Sequence, residues 1–293
     1  MASHDESTSH HPELEYFGAY TLDVISSTAF GIQVNSQKDL NDPFVKDVAS
    51  VMHEATSSNG LLTVLAGLSL ITALSRTEVI AQAFVFFVAG YDTTSTALQF
   101  LAYNLACCPE AQEKVVQEIK NQIGDDKPTY EGLAKLKYLE SVVMETLRMI
   151  PPVNTVNRMA SEEVTIKGVT IPKGAGVCVP IANVMRDPEY FPDPDEFKPD
   201  RFVESADGVV NPFSNLVFGF GPRQCIGMRL ALLQIKMAMV HVLRKVRFIK
   251  TDDLKDTPTL KPGSFLSVAE RPIFITAVLR EAASKTRVQH KVP

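Results

Sequence analysis

The chain is short of positive charge: 29 Lys and Arg stand against 34 Asp and Glu, giving a formal net charge of −5 and a pI near 5.7. No basic footprint is present, which argues against nucleic acid as a partner. The chain also lacks any C-x-x-C pair. Of its four cysteines, Cys107 and Cys108 are adjacent while Cys178 and Cys225 stand alone. That spacing argues against a zinc ribbon and against a disulfide framework, so a reducing compartment facing the cytosol fits best. A clean membrane span is lacking too. The opening MASHDESTSHHPELE is polar, with neither a signal-type apolar region nor an anchor. Leu61 to Leu74 is too short to cross a bilayer and reads as a core or membrane-surface segment. Val79 to Cys108 is long enough, but Gln82, Asp92 and Asn104 interrupt it. An aspartate at mid-bilayer costs roughly 3 kcal/mol, so this stretch reads as a buried core helix.

What the chain does have is apolar mass. At 45% apolar residues over 293 positions, it can bury the core of one large domain or two small ones. Tyr16 to Phe30 reads as a helix ended by Gly31, and Asn41-Asp42-Pro43 opens another. Thr56 to Gly60 reads as a loop. Thr77-Glu78 starts the long apolar helix, which runs to Cys108. An amphipathic helix spans Glu110 to Ile123 and ends at Gly124; a further one spans Leu133 to Ile150 and stops at Pro151-Pro152. From Val164 to Val179 the pattern turns β-like, with Gly168 and Gly174 at turns. Residues 186–214 read as an irregular loop, Ile226 to Lys245 as a last long helix, and Pro272 to Val278 as a closing strand. The predicted class is mainly α with a minor β region.

The segment richest in chemistry is Phe218-Gly-Phe-Gly221-Pro-Arg223-Gln-Cys225-Ile-Gly227, followed by an apolar helix. A thiolate ligand needs its charged form stabilised, and a helix N-terminus just beyond Cys225 supplies N–H groups and a positive dipole end. Gly221 and Gly227 allow sharp turns and close approach to a flat ring. Arg223 can pair with an acidic group such as a propionate, and Phe218 can shield the sulfur. The competing reading is a buried structural cysteine in a glycine-rich turn.

This pattern resembles the cytochrome P450 signature F-x-x-G-x-R-x-C-x-G at every fixed position. Three further motifs follow the family's order: Ala89-Gly90-Tyr91-Asp92-Thr93-Thr94, Glu145-Thr-Leu-Arg148, and Pro199-Asp-Arg201-Phe202, where Asp200 replaces a more frequent glutamate. The phrases YTLDVISSTAFG, DPFVK, IPKGAGV and CIGMRLAL look most like the microsomal family-3 enzymes and thromboxane synthase. The resemblance implies a P450 fold and haem with Cys225 as its axial thiolate. It implies cofactor contacts from Arg223, Arg158, Phe218, Gly221, Gly227, Ala89 and Gly90.

Gly90 costs about 1 kcal/mol in a helix interior, and its missing side chain would leave room against the haem face. The Thr93 hydroxyl can bond a carbonyl one turn back and loosen the helix. By resemblance, Asp92 and Thr93 form the acid–alcohol pair that delivers protons to bound oxygen. Read alone, the Asp-Thr-Thr run fits a capped or kinked core helix. Glu145 and Arg148 share a helix face, and the resemblance adds Arg201 to complete a buried structural network. It also assigns Ala89, Val153, Phe265 and Leu266 to a substrate pocket, whereas periodicity alone reads all four as ordinary core. Surface cations near the cysteine, such as Arg229, would meet an electron-donor protein.

Against the family's length, most of the amino-terminal half is expected to be missing, together with the capping helices between DPFVK and SRTEVIAQAF. With no tryptophan in the chain, the family's W-x-x-x-R pair is absent. The expected organisation is residues 1–76 as a helical remnant carrying apolar segment 61–74, 77–280 as the haem-binding core, and 281–293 as a polar tail. The resemblance implies a monooxygenase inserting one atom of O2 into a xenobiotic, steroid or fatty acid. Its electrons would come from an NADPH-dependent flavoprotein reductase at the cytosolic face of the endoplasmic reticulum. The alternatives are a truncated, non-catalytic fragment with weak or no haem binding, and a haem-binding module without turnover.

Overall fold

The computed structural model describes residues 12–39, 75–203, 213–252, 254, 258–264 and 266–280. The expected helix opening at Asn41, the loop at 56–60, the apolar segment 61–74, Phe265 and the tail 281–293 lie outside them. The helices are α1 (Pro12–Phe30), α2 (Arg76–Cys107), α3 (Pro109–Gln122), α4 (Tyr130–Ala134), α5 (Lys137–Met149), α6 (Ile181–Val184) and α7 (Met228–Leu243). The strands are β1 (Val156–Met159), β2 (Val164–Ile166), β3 (Val169–Ile171), β4 (Gly176–Val179), β5 (Val246–Lys250) and β6 (Ile275–Leu279). They pair as three antiparallel ribbons: β1 with β4, β2 with β3, and β5 with β6. The fold is mainly α with a minor β part.

Local chemistry sets most boundaries. Ser75 and Glu78 form a reciprocal capping box at the start of α2. Gly31 and Gly124 adopt positive φ just past α1 and α3, as helix-ending glycines do. The hairpin β2–β3 turns through Lys167 and Gly168, both at positive φ, with Val164 opposite Ile171.

Two expectations are corrected. The single helix over 133–150 is two, because Leu136 leaves helical geometry at φ −78°, ψ 79°. The break is stabilised from a distance: the Glu118 carboxylate on α3 accepts the Tyr138 N–H at 2.7 Å and the Leu139 N–H at 2.9 Å. Those are donors at the first turn of α5 that otherwise have no intrahelical partner. The long helix α2, expected to be buried throughout, is buried only over Thr94–Ala106. There Leu98, Leu101 and Leu105 join Val115 of α3, Leu139 and Val143 of α5, Met239 of α7 and Phe248 of β5 in the main core. Its first half meets α1 instead, where Phe87 and Tyr91 pack on Leu22 and Ile25, and Phe86 and Ala89 stay exposed.

A further organising feature is ionic. Arg148 is fully buried. Its Nε and Nη2 donate to Glu145 at 2.7 and 2.9 Å, its Nη1 to the Met185 carbonyl at 3.0 Å, and Nη2 also to the Glu196 carbonyl at 3.3 Å. Glu145 Oε1 additionally accepts the Lys198 N–H at 2.8 Å and Arg201 Nε at 3.1 Å. The Arg148 guanidinium lies 5.4 Å from the Phe191 ring centre. The network thus pins the irregular 185–201 segment to α5. Breaking a buried pair leaves an uncompensated charge, which costs roughly 3–5 kcal/mol. Glu145→Ala should therefore lower the unfolding free energy by about that amount in urea titrations; a loss no larger than for an exposed pair would mean that water reaches Arg148.

Candidate functional site

Residues 218–225 form a tight loop leading into α7. The Phe218 carbonyl accepts the Cys225 N–H at 2.8 Å, and the Gly221 carbonyl accepts the Gln224 N–H at 2.9 Å. Two glycines make the reversal possible, Gly219 at φ 72° and Gly221 at φ 79°. Gly227, expected from the motif to be a sharp turn, is not one. There φ is −87° and the residue is the N-cap of α7, where an added Cβ would sit 3.9 Å from Cys225 Sγ in ordinary contact. Gly219 was missed, although the F-G-F-G alternation carries it. Every residue from Phe220 to Ile226 is exposed, Ile226 at 89%. Cys225 is thus exposed, where the structural-cysteine reading expects it buried. Phe218 packs against the main core.

On α2, Thr93 Oγ1 donates to the Ala89 carbonyl one turn back at 2.6 Å, and the helix continues unbroken through this turn. Asp92 is half-buried, and burial pushes its carboxyl up to about pKa 6. Gly90 needs a correction. An added Cβ would come within 2.9 Å of Ile25 Cδ1, so the room left by its missing side chain holds α1. Ala89, by contrast, is exposed.

Val153 and Leu266 face each other in an antiparallel bridge. Ser267 locks it: its N–H donates to the Pro152 carbonyl at 2.9 Å and its hydroxyl to the Pro151 carbonyl at 2.7 Å. Arg158, on β1, is exposed, and its Nη1 donates to the Asn157 carbonyl at 2.9 Å. Neither Arg158 nor Arg223 has an acidic partner among the described residues.

The sequence profile of the family described as Cytochrome P450 matches residues 63–276, which spans the loop at 218–225, the buried Glu145–Arg148 pair and the Asp92–Thr93 turn. The chain belongs to the cytochrome P450 family. Cytochrome P450 3A29 of Sus scrofa and cytochrome P450 3A14 of Cavia porcellus are each 32% identical over 325 aligned positions. Cytochrome P450 3A17 of Cavia porcellus is 33% identical over the same length. Each alignment covers 91% of this chain and 64% of the relative, so the chain spans a little under two thirds of these P450 relatives. The family implies a haem cofactor held by a cysteine thiolate. The loop fits it: an outward thiol stands beside an exposed apolar rim, Phe220 and Ile226, and beside an arginine without an acidic partner among the described residues. No described helix is long and apolar enough to cross a membrane.

The raised Asp92 carboxyl has a consequence for stability. Its folded pKa lies above the ordinary 3.8, so the folded state binds that proton more tightly. The ionised carboxylate then opposes folding, fully above about pH 6, and the penalty fades as pH falls from 6 toward 4. Asp92→Asn should stabilise the protein by about 1–3 kcal/mol at pH 7.5, and the gain should shrink steadily toward pH 4. Urea titrations of both proteins across that range test this; a pH-independent gain would place the effect elsewhere.

Proposed function

We propose that this P450 chain carries the haem-binding and proton-delivering parts of a monooxygenase that acts on a lipophilic substrate. The observation that carries the reading is the outward Cys225 thiol at the end of a doubly glycine-turned loop, next to the N-terminus of the sixteen-residue α7. When bound, haem iron supplies reductive activation of O2, with one atom entering the substrate and the other leaving as water. Cys225 would hold the iron through sulfur. Arg223 and Arg158 would meet the propionates, because both are exposed cations without a competing carboxylate among the described residues. Gly219 and Gly221, both at positive φ, fold the loop back and would leave no side chain of their own between it and a bound haem.

Asp92 would take a proton from solvent and hand it to the Thr93 hydroxyl. Burial keeps the Asp92 proton affinity close to neutral pH, where a carboxyl can both gain and release a proton. Thr93 would exchange its bond to the Ala89 carbonyl for one toward the reacting oxygen, a rotation about χ1 that leaves the helix intact. Val153 and Leu266, paired across the bridge that Ser267 locks, would offer an apolar wall to a xenobiotic, steroid or fatty acid. Ala89 would border both substrate and cofactor. Electrons would come from an NADPH-dependent flavoprotein reductase, with Arg229 among the exposed cations that would meet it. By likeness to the P450 3A relatives, the chain would work at the cytosolic face of the endoplasmic reticulum membrane.

The thiolate assignment is tested spectroscopically. The reduced, CO-treated protein should show a strongly red-shifted Soret band, and Cys225→Ser should abolish it; an unchanged band in that variant would remove Cys225 as the ligand. For the proton pair, Thr93→Ala should retain the band while coupled product formation drops by roughly 10²-fold or more and reductant is diverted to peroxide. Normal coupling in Thr93→Ala would leave Thr93 as a helix residue only.

A further inference from the structure

The Asp92–Thr93 turn and the Cys225 loop lie on different helices, α2 and the entry to α7; these helices meet directly in the main core, and α1 touches both beside the Asp92–Thr93 turn. The helix α1 approaches α2 through two reciprocal notches. Gly18 of α1 lies where a Cβ would come within 2.5 Å of Tyr91 Oη, and Gly90 of α2 lies where a Cβ would come within 2.9 Å of Ile25 Cδ1. Each glycine thus receives a large side chain from the opposite helix, which sets the rotation of both. Between the notches the fully buried Thr21 hydroxyl lies 2.9 Å from the Gly18 carbonyl and 3.2 Å from the Tyr91 carbonyl, the residue preceding Asp92. One residue earlier, Tyr20 Oη donates to the Gln234 carbonyl of α7 at 3.0 Å. Burial pushes the Tyr20 phenol up to about pKa 12, so it remains a donor at neutral pH. Leu230 of α7 packs against the Leu22–Ile25 cluster of α1, the same cluster that receives Phe87 and Tyr91 of α2.

We propose that α1 is the spacer of the site, with Tyr20 and Thr21 as positioning residues that fix the α2 turn bearing Asp92 and Thr93 relative to α7. This rests on the proton-pair reading of Asp92 and Thr93. Neither residue reaches the reacting atoms. Thr21 acts through the Tyr91 carbonyl, and Tyr20 acts through the backbone of α7 two turns beyond Cys225. A rotation of the α2 turn would change how far Asp92 is withdrawn from water and where the Thr93 hydroxyl points.

The test uses Thr21→Val, which keeps shape and removes the hydroxyl, Thr21→Ser, which restores it, and Gly18→Ala, which fills the notch against Tyr91. In the protein without haem, the Asp92 carboxyl is titrated by 13C NMR of aspartate-labelled samples. In the haem-loaded protein with a reductase, the share of reductant ending as peroxide is measured, alongside Thr93→Ala. Thr21→Val and Gly18→Ala should lower the Asp92 midpoint by about half a pH unit or more, roughly a threefold change in proton affinity. They should raise the peroxide share by about tenfold, less than the ~100-fold that a 1 Å misplacement can cost. Thr21→Ser should match the parent in both. A residue with only a structural role would lower the unfolding midpoint while leaving both readouts of the folded protein unchanged. An unmoved Asp92 midpoint in folded Thr21→Val and Gly18→Ala overturns the spacer role. If Thr93→Ala itself shows the parent peroxide share, the proton-pair reading fails, and the spacer proposal stands or falls on the Asp92 midpoint alone.

Discussion

A guanidinium sealed from water cannot be left without acceptors, and Arg148 organises much of this molecule on that account. Its donors reach Glu145 on its own helix, and then the carbonyls of Met185 and Glu196 in a segment with little regular structure. That segment in turn supports the loop bearing the cysteine. Met185 is buried with Ile181 and Phe191, and Leu216 and Val217 pack on that cluster. The Met185 sulfur accepts the Leu216 N–H at 3.3 Å. Two residues on, the Phe218 carbonyl holds the Cys225 N–H. A continuous line of contacts therefore runs from a buried ion network to the thiol. Such networks contribute little net stability compared with an apolar core of the same volume. Their effect here is to give an irregular, proline-rich segment one position.

The helix α2 lives under two regimes. Beyond Thr94 it is a core helix, enclosed by α3, α5, α7 and β5. Before Asp92 it is a surface helix leaning on α1, with Ile80, Phe86 and Ala89 exposed. Asp92 sits at the crossover. It is withdrawn from water far enough to raise its proton affinity, and burial is the cause of the shift. A carboxyl deeper in the core would remain protonated at neutral pH, and one further out would behave like any surface aspartate. The boundary between regimes, and not the residue type, gives Asp92 its raised proton affinity.

Much of the fold could be read residue by residue. Gly31 and Gly124 end their helices as their type suggests, and Lys167-Gly168 turns the β2–β3 hairpin. Elsewhere a remote residue decides the local outcome. Nothing in the 133–150 run announces a break at Leu136, because the group that stabilises it, Glu118, belongs to another helix. Gly90 suggested open space, and the space is filled by Ile25, which lies 65 positions earlier in the chain. Gly219 was legible in principle, since alternating glycines in F-G-F-G mark a backbone that must reverse twice.

The sequence by itself determined the family, because four short motifs in a fixed order are a matter of residue type and spacing. It also determined the local devices that act within one turn: the Ser75–Glu78 box, the Thr93 bond to the Ala89 carbonyl, and the pairing of Glu145 with Arg148 at three residues' separation. Only the tertiary structure decided exposure and neighbours. It turned Cys225 outward, sank Arg148, split the half-exposed α2 from its buried half, and laid α1 across both α2 and α7. The reason is physical. Helical spacing and turn chemistry are fixed by a few consecutive residues, whereas desolvation, close helix approach and remote capping depend on surfaces brought together from distant parts of the chain.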